Sequence, residues 1–321
     1  MNKIYNKSEI SELVLNLEKW ICPIKFAYKT PQWTKYWWII EEDRKKEWVM
    51  FAEPKLLKDT VDIYLQEIWN PDSLCLFDFG CGIGETPKSM IKELLKRWKK
   101  VYYHAFDISE IMAKQAQQNL SNLWENFNFA YTILDFETFN LTNVLIDVRE
   151  KYNNIPVIGM LLWSTIWNFE SMERVITNIV NSFRINDRFV VWLQKADIIN
   201  DKKIEQIIFW YKSNNVLNVA ISTLEYFWLN RDNCKYNVIF NRLSNAIEWY
   251  ITFNRNVNLK VENYNINFKK WDKVQILLSK KMNEEKFIKL FLDLDYRIVN
   301  LRTNNEDTFI EVMIAPKKYF S

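Results

Sequence analysis

Three closely spaced glycines follow an apolar run and precede a helix-like stretch, an arrangement typical of a ligand-binding turn. Gly80, Gly82 and Gly84 alternate with other residues directly after the apolar run 74–79. Glycine lets the backbone turn tightly and approach a ligand closely. Because this spacing alone is a weak signal, the carboxylates near it decide which ligand is expected.

Carboxylates stand at the ends of three successive apolar runs. Asp78 comes two residues before the first glycine, and Asp107 ends the next run, 25 residues after Gly82, a distance at which a carboxylate can hold a ribose hydroxyl. Asp135 and Phe136 end the third run; the acid can accept a hydrogen bond from an adenine amine and the ring can stack on the base. The pattern favours a nucleoside-binding site. The alternative is an ordinary glycine turn with acids placed for solubility.

The order of these elements resembles that of the class I S-adenosylmethionine (SAM)-dependent methyltransferases. Residues 159–170, Gly-Met-Leu-Leu-Trp-Ser-Thr-Ile-Trp-Asn-Phe-Glu, narrow the match. They resemble the Gly-Ser-Thr-Ile-Gly-Asn-Phe signature of the histidine-specific methyltransferase family, if Trp163 and Trp167 stand at its glycines. That family makes Nα-trimethylhistidine and includes relatives that act on other amino-acid amines. The resemblance covers about residues 20 to 321.

Alternating strand-like and helix-like stretches predict a parallel sheet with helices on both faces. The predicted strands are 74–79, 101–106, 128–134, 156–162 and 187–194, and the helices between them are 88–98, 109–121 and 170–183. A helical stretch at 202–228 then leads to strands at 246–255, 258–268 and 273–279, and the chain ends in a helix at 284–294 and strands at 295–302 and 308–315.

The fold class that these elements and the resemblance imply is α/β: a Rossmann-like class I methyltransferase sheet with an inserted α+β substrate domain. Residues 1–68 are expected to form a mainly helical region that packs with the substrate domain. Residues 69–200 and 281–321 are assigned to the methyltransferase domain, and residues 201–280 to the inserted substrate-binding domain.

The resemblance implies SAM as cofactor and a set of residues that hold it. Methyl transfer from a sulfonium needs alignment and exclusion of water rather than a protein nucleophile, so no catalytic side chain is assigned. At Thr86 the family tends to have a lysine, and Lys88 could substitute for it. The cofactor-binding residues expected are Asp78, Gly80, Gly82, Thr86, Asp107, Asp135 and Phe136.

The expected substrate-binding residues are Trp163, Asn168, Tyr211 and Ser279. Asn168 matches the family's asparagine, although it could also cap the following helix. Tyr211 matches a tyrosine of the family, and the alternative is a packed amphipathic tyrosine. The family selects histidine with a glutamate two residues before a serine, and here Leu277 occupies the glutamate position. Leucine cannot accept a hydrogen bond from an imidazole, so the resemblance argues against histidine as the substrate.

Three functions remain open from the sequence. The first is N-methylation of the amine of an amino acid or small amine. The second is O-methylation of a small metabolite, and the third is SAM binding without catalysis. In each case the expected partner is a small molecule, with an amino acid favoured as methyl acceptor.

The chain is poor in glycine and rich in tryptophan. It has 4 Gly and 15 Trp in 321 residues, whereas ordinary usage of about 7% would give roughly 22 Gly. Several tryptophans stand in turn contexts that favour glycine. We therefore hypothesise that the gene uses UGA for glycine, as some bacterial lineages do, and that UGA has been read as tryptophan; the alternative is a truly Trp-rich protein. The best candidates are Trp33, Trp163, Trp167, Trp228, Trp249 and Trp271.

Charge and cysteine content exclude several other classes. The formal net charge of +3 is too balanced to indicate a nucleic-acid or membrane partner. Four cysteines without CxxC spacing and a single histidine argue against a metal site or a disulfide framework. No apolar signal core or run of 18 apolar residues occurs, which favours a cytoplasmic enzyme.

Overall fold

The structure is a computed structural model that describes residues 4–46, 52–123, 125–139, 141–162, 168–169, 171–194, 201–281, 283–304 and 309–317. The helices are α1 (Lys7–Glu18), α2 (Ile24–Ala27), α3 (Pro31–Lys46), α4 (Ala52–Asp59), α5 (Val61–Glu67), α6 (Lys88–Lys96), α7 (Glu110–Leu120), α8 (Leu141–Lys151), α9 (Met172–Val180), α10 (Asp201–Tyr211), α11 (Asn214–Ala220), α12 (Ser222–Tyr226) and α13 (Glu284–Asp293). The strands are β1 (Ser73–Phe79), β2 (Lys100–Asp107), β3 (Phe127–Ile133), β4 (Val157–Leu161), β5 (Arg188–Gln194), β6 (Cys234–Asn241), β7 (Ala246–Phe253), β8 (Val257–Val261), β9 (Tyr264–Phe268), β10 (Lys273–Lys280), β11 (Tyr296–Thr303) and β12 (Phe309–Pro316).

A seven-stranded sheet has the order β3-β2-β1-β4-β5-β12-β11. The pairs among β1 to β5 are parallel, whereas β12 pairs antiparallel with both β5 and β11. The strand order reverses between β1 and β4, and ligands of open α/β sheets bind at the carboxyl ends of the strands at such a reversal. The predicted α/β, Rossmann-like sheet is confirmed.

Alternate side chains of β1 enter two apolar cores, one on each face of the sheet. Leu74 and Leu76 belong to the core that also contains buried residues of α5, α6 and α7. Phe77 and Phe79 belong to the core that contains residues of α8, α9 and α13. Because both faces are covered, β1 is a nearly continuous apolar run rather than an alternating one. The resulting rigid sheet fixes the positions of the residues at its carboxyl edge.

The chain divides into two compact units, residues 1–46 with 198–281 and residues 47–197 with 282–321. The boundary expected near residue 68 is displaced, because α4 and α5 belong to the unit that holds the seven-stranded sheet. The physical reason is burial: Leu57, Val61 and Tyr64 lie in the same core as residues of α6. The amphipathic pattern of this stretch could not by itself indicate which core it joins.

The unit formed by 1–46 and 198–281 contains a three-stranded antiparallel sheet of order β10-β7-β6 and the hairpin β8–β9. The single strand expected at 258–268 is wrong: the chain reverses there, with Glu262 at φ 50° between β8 and β9. Strand β6 and helix α8 were not predicted. The helical stretch expected at 202–228 is divided into α10, α11 and α12.

No helix in the described part of the chain is long and apolar enough to cross a membrane.

Candidate active site

The turn between β1 and α6 is built on glycines with positive φ. Gly80 has φ 79° and Gly82 has φ 51°, values that glycine adopts without the strain a Cβ atom would cause. The Gly80 N–H donates to the carbonyl of Phe106 at 2.7 Å, which ties the turn to the end of β2. The backbone of Gly80 and Gly82 therefore lies at the carboxyl edge of the sheet, where a ligand can approach it closely.

Asp107 lies at the end of β2 and faces this turn. Its Oδ1 accepts from the Ser109 N–H at 2.8 Å and its Oδ2 from the Gly82 N–H at 3.2 Å. The side chain is buried, and burial raises the pKa of Asp107 from 3.8 to about 6, although these hydrogen bonds act in the opposite direction. The Cys81 thiol also donates to Oδ2 at 3.7 Å. Because a carboxylate has about four acceptor positions, Asp107 retains capacity for a ligand hydroxyl.

Asp78 is the second carboxyl group of the turn. It is 1% exposed, and its Oδ2 accepts from the Tyr103 hydroxyl. Its Oδ1 has no hydrogen-bond partner among the described residues. The pKa of Asp78 is raised from 3.8 to about 7, chiefly by burial; the Tyr103 hydrogen bond lowers it and the neighbouring charge of Asp107 raises it. A buried carboxyl oxygen without a partner costs free energy, which is typical of a site prepared for a ligand.

Asp135 and Phe136 follow β3. Asp135 is half-buried, and its Oδ1 accepts from the Glu137 N–H at 2.8 Å. The Phe136 ring is 5% exposed and packs edge-on against Phe79 at 5.9 Å and Phe169 at 6.2 Å. Phe136 therefore belongs to the core, and its expected stacking on an adenine stays a prediction.

Thr86 lies in the segment between the glycine turn and α6. Its side chain is 1% exposed, and its Oγ1 has no hydrogen-bond partner among the described residues. The Lys88 ammonium, the other group considered for this position, lies 3.0 Å from the Glu85 carboxylate. Asp78 Oδ1 and Thr86 Oγ1 are thus two buried oxygens without hydrogen-bond partners among the described residues. A bound ligand could form hydrogen bonds with both.

Tyr211 and Ser279 are two of the expected substrate-binding residues. In the unit formed by 1–46 and 198–281, the Tyr211 hydroxyl at the end of α10 donates to Ser279 Oγ in β10 at 2.9 Å. The sequence predicted both residues, and the structure brings them together across 68 positions of chain.

Lys281 is a residue that sequence reasoning missed. Its Nζ donates to Ser279 Oγ at 3.2 Å and lies 5.8 Å from the centroid of the Tyr211 ring. Only 5% of Lys281 is exposed. The available signal was its spacing, because residues 279 and 281 point to the same face of an extended chain. Ser279 thus has hydroxyl and ammonium donors around a single oxygen.

Leu277 is half-buried and lies opposite Trp249 in the register of β10 and β7. The Trp249 side chain is 1% exposed, and its indole N–H has no hydrogen-bond partner among the described residues. Leu277, Ser279 and Trp249 share one face of the three-stranded sheet. This face is the one on which the family's selective glutamate and serine are expected.

The remaining substrate residues come from the signature segment. Trp163 and Trp167 lie outside the described residues. Asn168 is half-buried, but its alternative role as a helix cap is wrong, because the N-cap of α9 is Ser171, whose Oγ accepts from the Arg174 N–H at 3.3 Å. The role of Asn168 in substrate binding stays a prediction.

The single histidine, His104, lies in the interior of β2. Its ring nitrogens contact Tyr152 Oη at 3.1 Å and Thr132 Oγ1 at 2.8 Å. Burial lowers the pKa of His104 to about 4, so the imidazole is neutral near pH 7. A neutral imidazole between two hydroxyl groups in a strand interior is a packed core residue.

The solved structures similar to this chain include methyltransferases, whereas none of the curated proteins matches it. A SAM-dependent methyltransferase from Clostridium acetobutylicum ATCC 824 is 12% identical, with a TM-score of 0.47, over 82% of this chain and 92% of that chain. Magnesium protoporphyrin IX methyltransferase from Synechocystis PCC 6803 is 12% identical, with a TM-score of 0.45, over 84% of this chain and 88% of that chain.

The family comparison covers most of the chain. Residues 48–316 match the family described as "Histidine-specific methyltransferase, SAM-dependent". This range includes the glycine turn, the strand ends that bear Asp107 and Asp135, and the pair Tyr211–Ser279. The chain therefore belongs to the family of histidine-specific, SAM-dependent methyltransferases.

Proposed function

We propose that this methyltransferase transfers a methyl group to the amine of an amino acid other than histidine. The observation that carries the proposal is the Tyr211–Ser279 hydrogen bond of 2.9 Å beside Leu277. Two residues expected to hold an amino-acid substrate are in contact, while the residue that would recognise an imidazole is apolar.

The residues at the carboxyl edge of the seven-stranded sheet fit SAM. Bound SAM supplies a methyl group that is already activated by its sulfonium. Asp107 retains an acceptor position for a ribose hydroxyl, and the Gly80–Gly82 turn leaves room for the backbone to pass the methionine portion. The unpartnered oxygens of Asp78 and Thr86 would gain partners there. We assign these four positions and Asp107 to cofactor binding.

The chain's remaining contribution is to hold the acceptor amine in line with the transferable methyl group and to exclude water. Tyr211 and Ser279 carry hydroxyl groups that can bind the polar groups of an amino acid. Leu277 gives the part of this sheet face beside Ser279 an apolar character. An amino acid with an apolar side chain fits this combination better than one with a basic ring.

Release of S-adenosylhomocysteine with a panel of free amino acids tests the proposal. We expect turnover with at least one aliphatic or aromatic amino acid and little with histidine. Product mass and NMR then locate the methyl group on nitrogen or oxygen. An O-methylated product, or SAM binding with no turnover across amino acids, amines and hydroxyl acceptors, would contradict the proposal.

Leu277→Glu is expected to shift activity toward histidine. A carboxylate at this position can accept a hydrogen bond from the imidazole N–H, and a site built around such a bond discriminates strongly. An unpaired carboxylate costs stability when no imidazole is bound, so Tm is measured beside the ratio of kcat/KM for histidine to that for the preferred acceptor.

Leu277→Gln is the matched control because glutamine has the shape of glutamate without its charge. We expect it to gain less histidine turnover than Leu277→Glu. If the glutamate variant folds and its kcat/KM ratio equals that of the parent, position 277 does not face the acceptor.

A further inference from the structure

Tryptophan occupies five of the eleven non-glycine positions with positive φ among the described residues. These five are Trp20 (φ 67°), Trp69 (φ 62°), Trp98 (φ 60°), Trp228 (φ 67°) and Trp271 (φ 77°). A bulky side chain is a genuine outlier in this region of the backbone. Four of the other six positions are asparagine and one is aspartate, the residues that tolerate this conformation best after glycine. Tryptophan has no such tolerance.

Four of the five tryptophans directly follow a helix C-cap. Trp20 follows Lys19 after α1, Trp69 follows Ile68 after α5, Trp98 follows Arg97 after α6 and Trp228 follows Phe227 after α12. This is the position at which a helix commonly ends in a left-handed residue, usually glycine.

The hydrogen bonds at these ends follow the same pattern. After α1, the Trp20 N–H donates to the Leu17 carbonyl and the Ile21 N–H to the Asn16 carbonyl, both at 3.0 Å. This pair of bonds defines the Schellman motif. The same pair occurs at the other three ends, as Trp69 to Gln66 with Asn70 to Leu65, Trp98 to Leu95 with Lys99 to Leu94, and Trp228 to Glu225 with Leu229 to Leu224. Four separate helices therefore end in a motif that selects glycine at the position where this sequence has tryptophan.

Trp271 lies in a β-turn rather than at a helix end, again at a position that favours glycine. The Asp272 N–H donates to the Lys269 carbonyl at 3.0 Å, so Trp271 is the third residue of the turn. A φ of 77° there is characteristic of a type II turn, which requires glycine or asparagine at this position.

The five side chains also lack the burial that tryptophan usually has. Their exposed fractions are 44% for Trp20, 67% for Trp69, 85% for Trp98, 80% for Trp228 and 64% for Trp271. Trp192 is the contrast: it is 1% exposed and its indole N–H donates to Glu311 Oε2 at 3.1 Å. Trp192 is placed as tryptophan normally is, whereas the five exposed rings are not.

We infer that residues 20, 69, 98, 228 and 271 are glycine in the native protein and that their codons are UGA. The composition suggested such a recoding, and the backbone identifies the positions independently of composition. Trp20, Trp69 and Trp98 were not among the candidates from the sequence. The turn expected at Trp33 is wrong, because Trp33 lies in the first turn of α3 without positive φ. It follows that the five exposed rings are not a docking surface.

The nucleotide sequence of the gene is the direct test. We expect UGA at most of the five codons and UGG at codon 192. UGG at most of the five codons would overturn the inference, because UGG is read as tryptophan in either code.

The stability of the protein is the second test. The full chain with glycine at all five positions is expected to have a Tm higher by roughly 5 °C or more than the tryptophan form, because each change relieves left-handed strain. Trp38→Gly is the matched control: Trp38 is 43% exposed and lies inside α3 without positive φ, so glycine should lower Tm there. A five-glycine variant with an unchanged or lower Tm would contradict the inference.

Discussion

Asp107→Ala is expected to weaken SAM binding by about tenfold or more while the protein remains folded. A hydrogen bond to a charged group contributes roughly 1.5–3 kcal/mol, and each 1.4 kcal/mol is about a factor of ten in affinity. Asp107 faces the glycine turn from the end of β2, where its carboxylate can accept a hydrogen bond from a ribose hydroxyl. Calorimetric titration with SAM measures the change.

Two further variants separate this role from a general effect of charge or packing. Glu110→Ala removes an exposed carboxylate three residues away that pairs with Lys114 at 2.8 Å, and its SAM affinity should equal that of the parent. Asp107→Asn retains the shape and one acceptor oxygen, so its affinity should lie between those of the parent and the alanine variant. A SAM affinity unchanged by Asp107→Ala would remove Asp107 from the site.

Burial of the Asp107 carboxyl group also makes the stability of the protein depend on pH, and the alanine variant should reveal this dependence. Burial raises the pKa of Asp107 from 3.8 to about 6, so the folded protein binds this proton more tightly than the unfolded chain does. Its contribution to stability is fully present below pH 3.8 and is lost as the pH rises through about 6. The alanine variant should therefore lose less stability than the parent as the pH rises over this interval, measured as the change in Tm of each form between the two pH values. This is the behaviour of a group retained for binding rather than for folding.

The sequence predicted the elements of the seven-stranded sheet because most of them carry strong local signals. The strands β1 and β2 are short apolar runs, and α6 has apolar positions at helical spacing. Strand β6, by contrast, mixes lysine, asparagine and apolar residues and has no such run. The turn between β8 and β9 has no glycine or proline. Glu262 has positive φ there, which a glutamate in the sequence does not predict.

The cofactor-binding and the substrate-binding residues could be predicted from the sequence to different extents. The residues of the glycine turn are close in sequence or follow neighbouring strands, so their meeting follows from parallel topology alone. The contact between Tyr211 and Ser279 depends on the packing of α10 against the three-stranded sheet, which the chain pattern does not specify. The resemblance supplied both residues, whereas the place of Lys281 beside them required the structure.

The double variant Trp163→Gly, Trp167→Gly is expected to be active where the tryptophan form is not. Both positions lie outside the described residues, so the expectation comes from the sequence. The segment Leu162-Trp-Ser-Thr-Ile-Trp-Asn168 matches the family's signature only if both tryptophans are glycine. A chain that passes beside a methyl donor needs a backbone free to approach it. Turnover and SAM affinity of both forms, measured with the same acceptor, provide the comparison.

Alanine at the same two positions separates the two reasons for requiring glycine. If the indole rings only fill space needed by the ligands, Trp163→Ala, Trp167→Ala should recover most of the activity. If the segment requires positive φ, as the backbone does at Trp98 and Trp228, alanine should recover little and glycine alone should restore turnover. Equal turnover by the tryptophan and glycine forms would show that these positions tolerate indole, and the recoding inferred for residues 20, 69, 98, 228 and 271 would then have no bearing on catalysis.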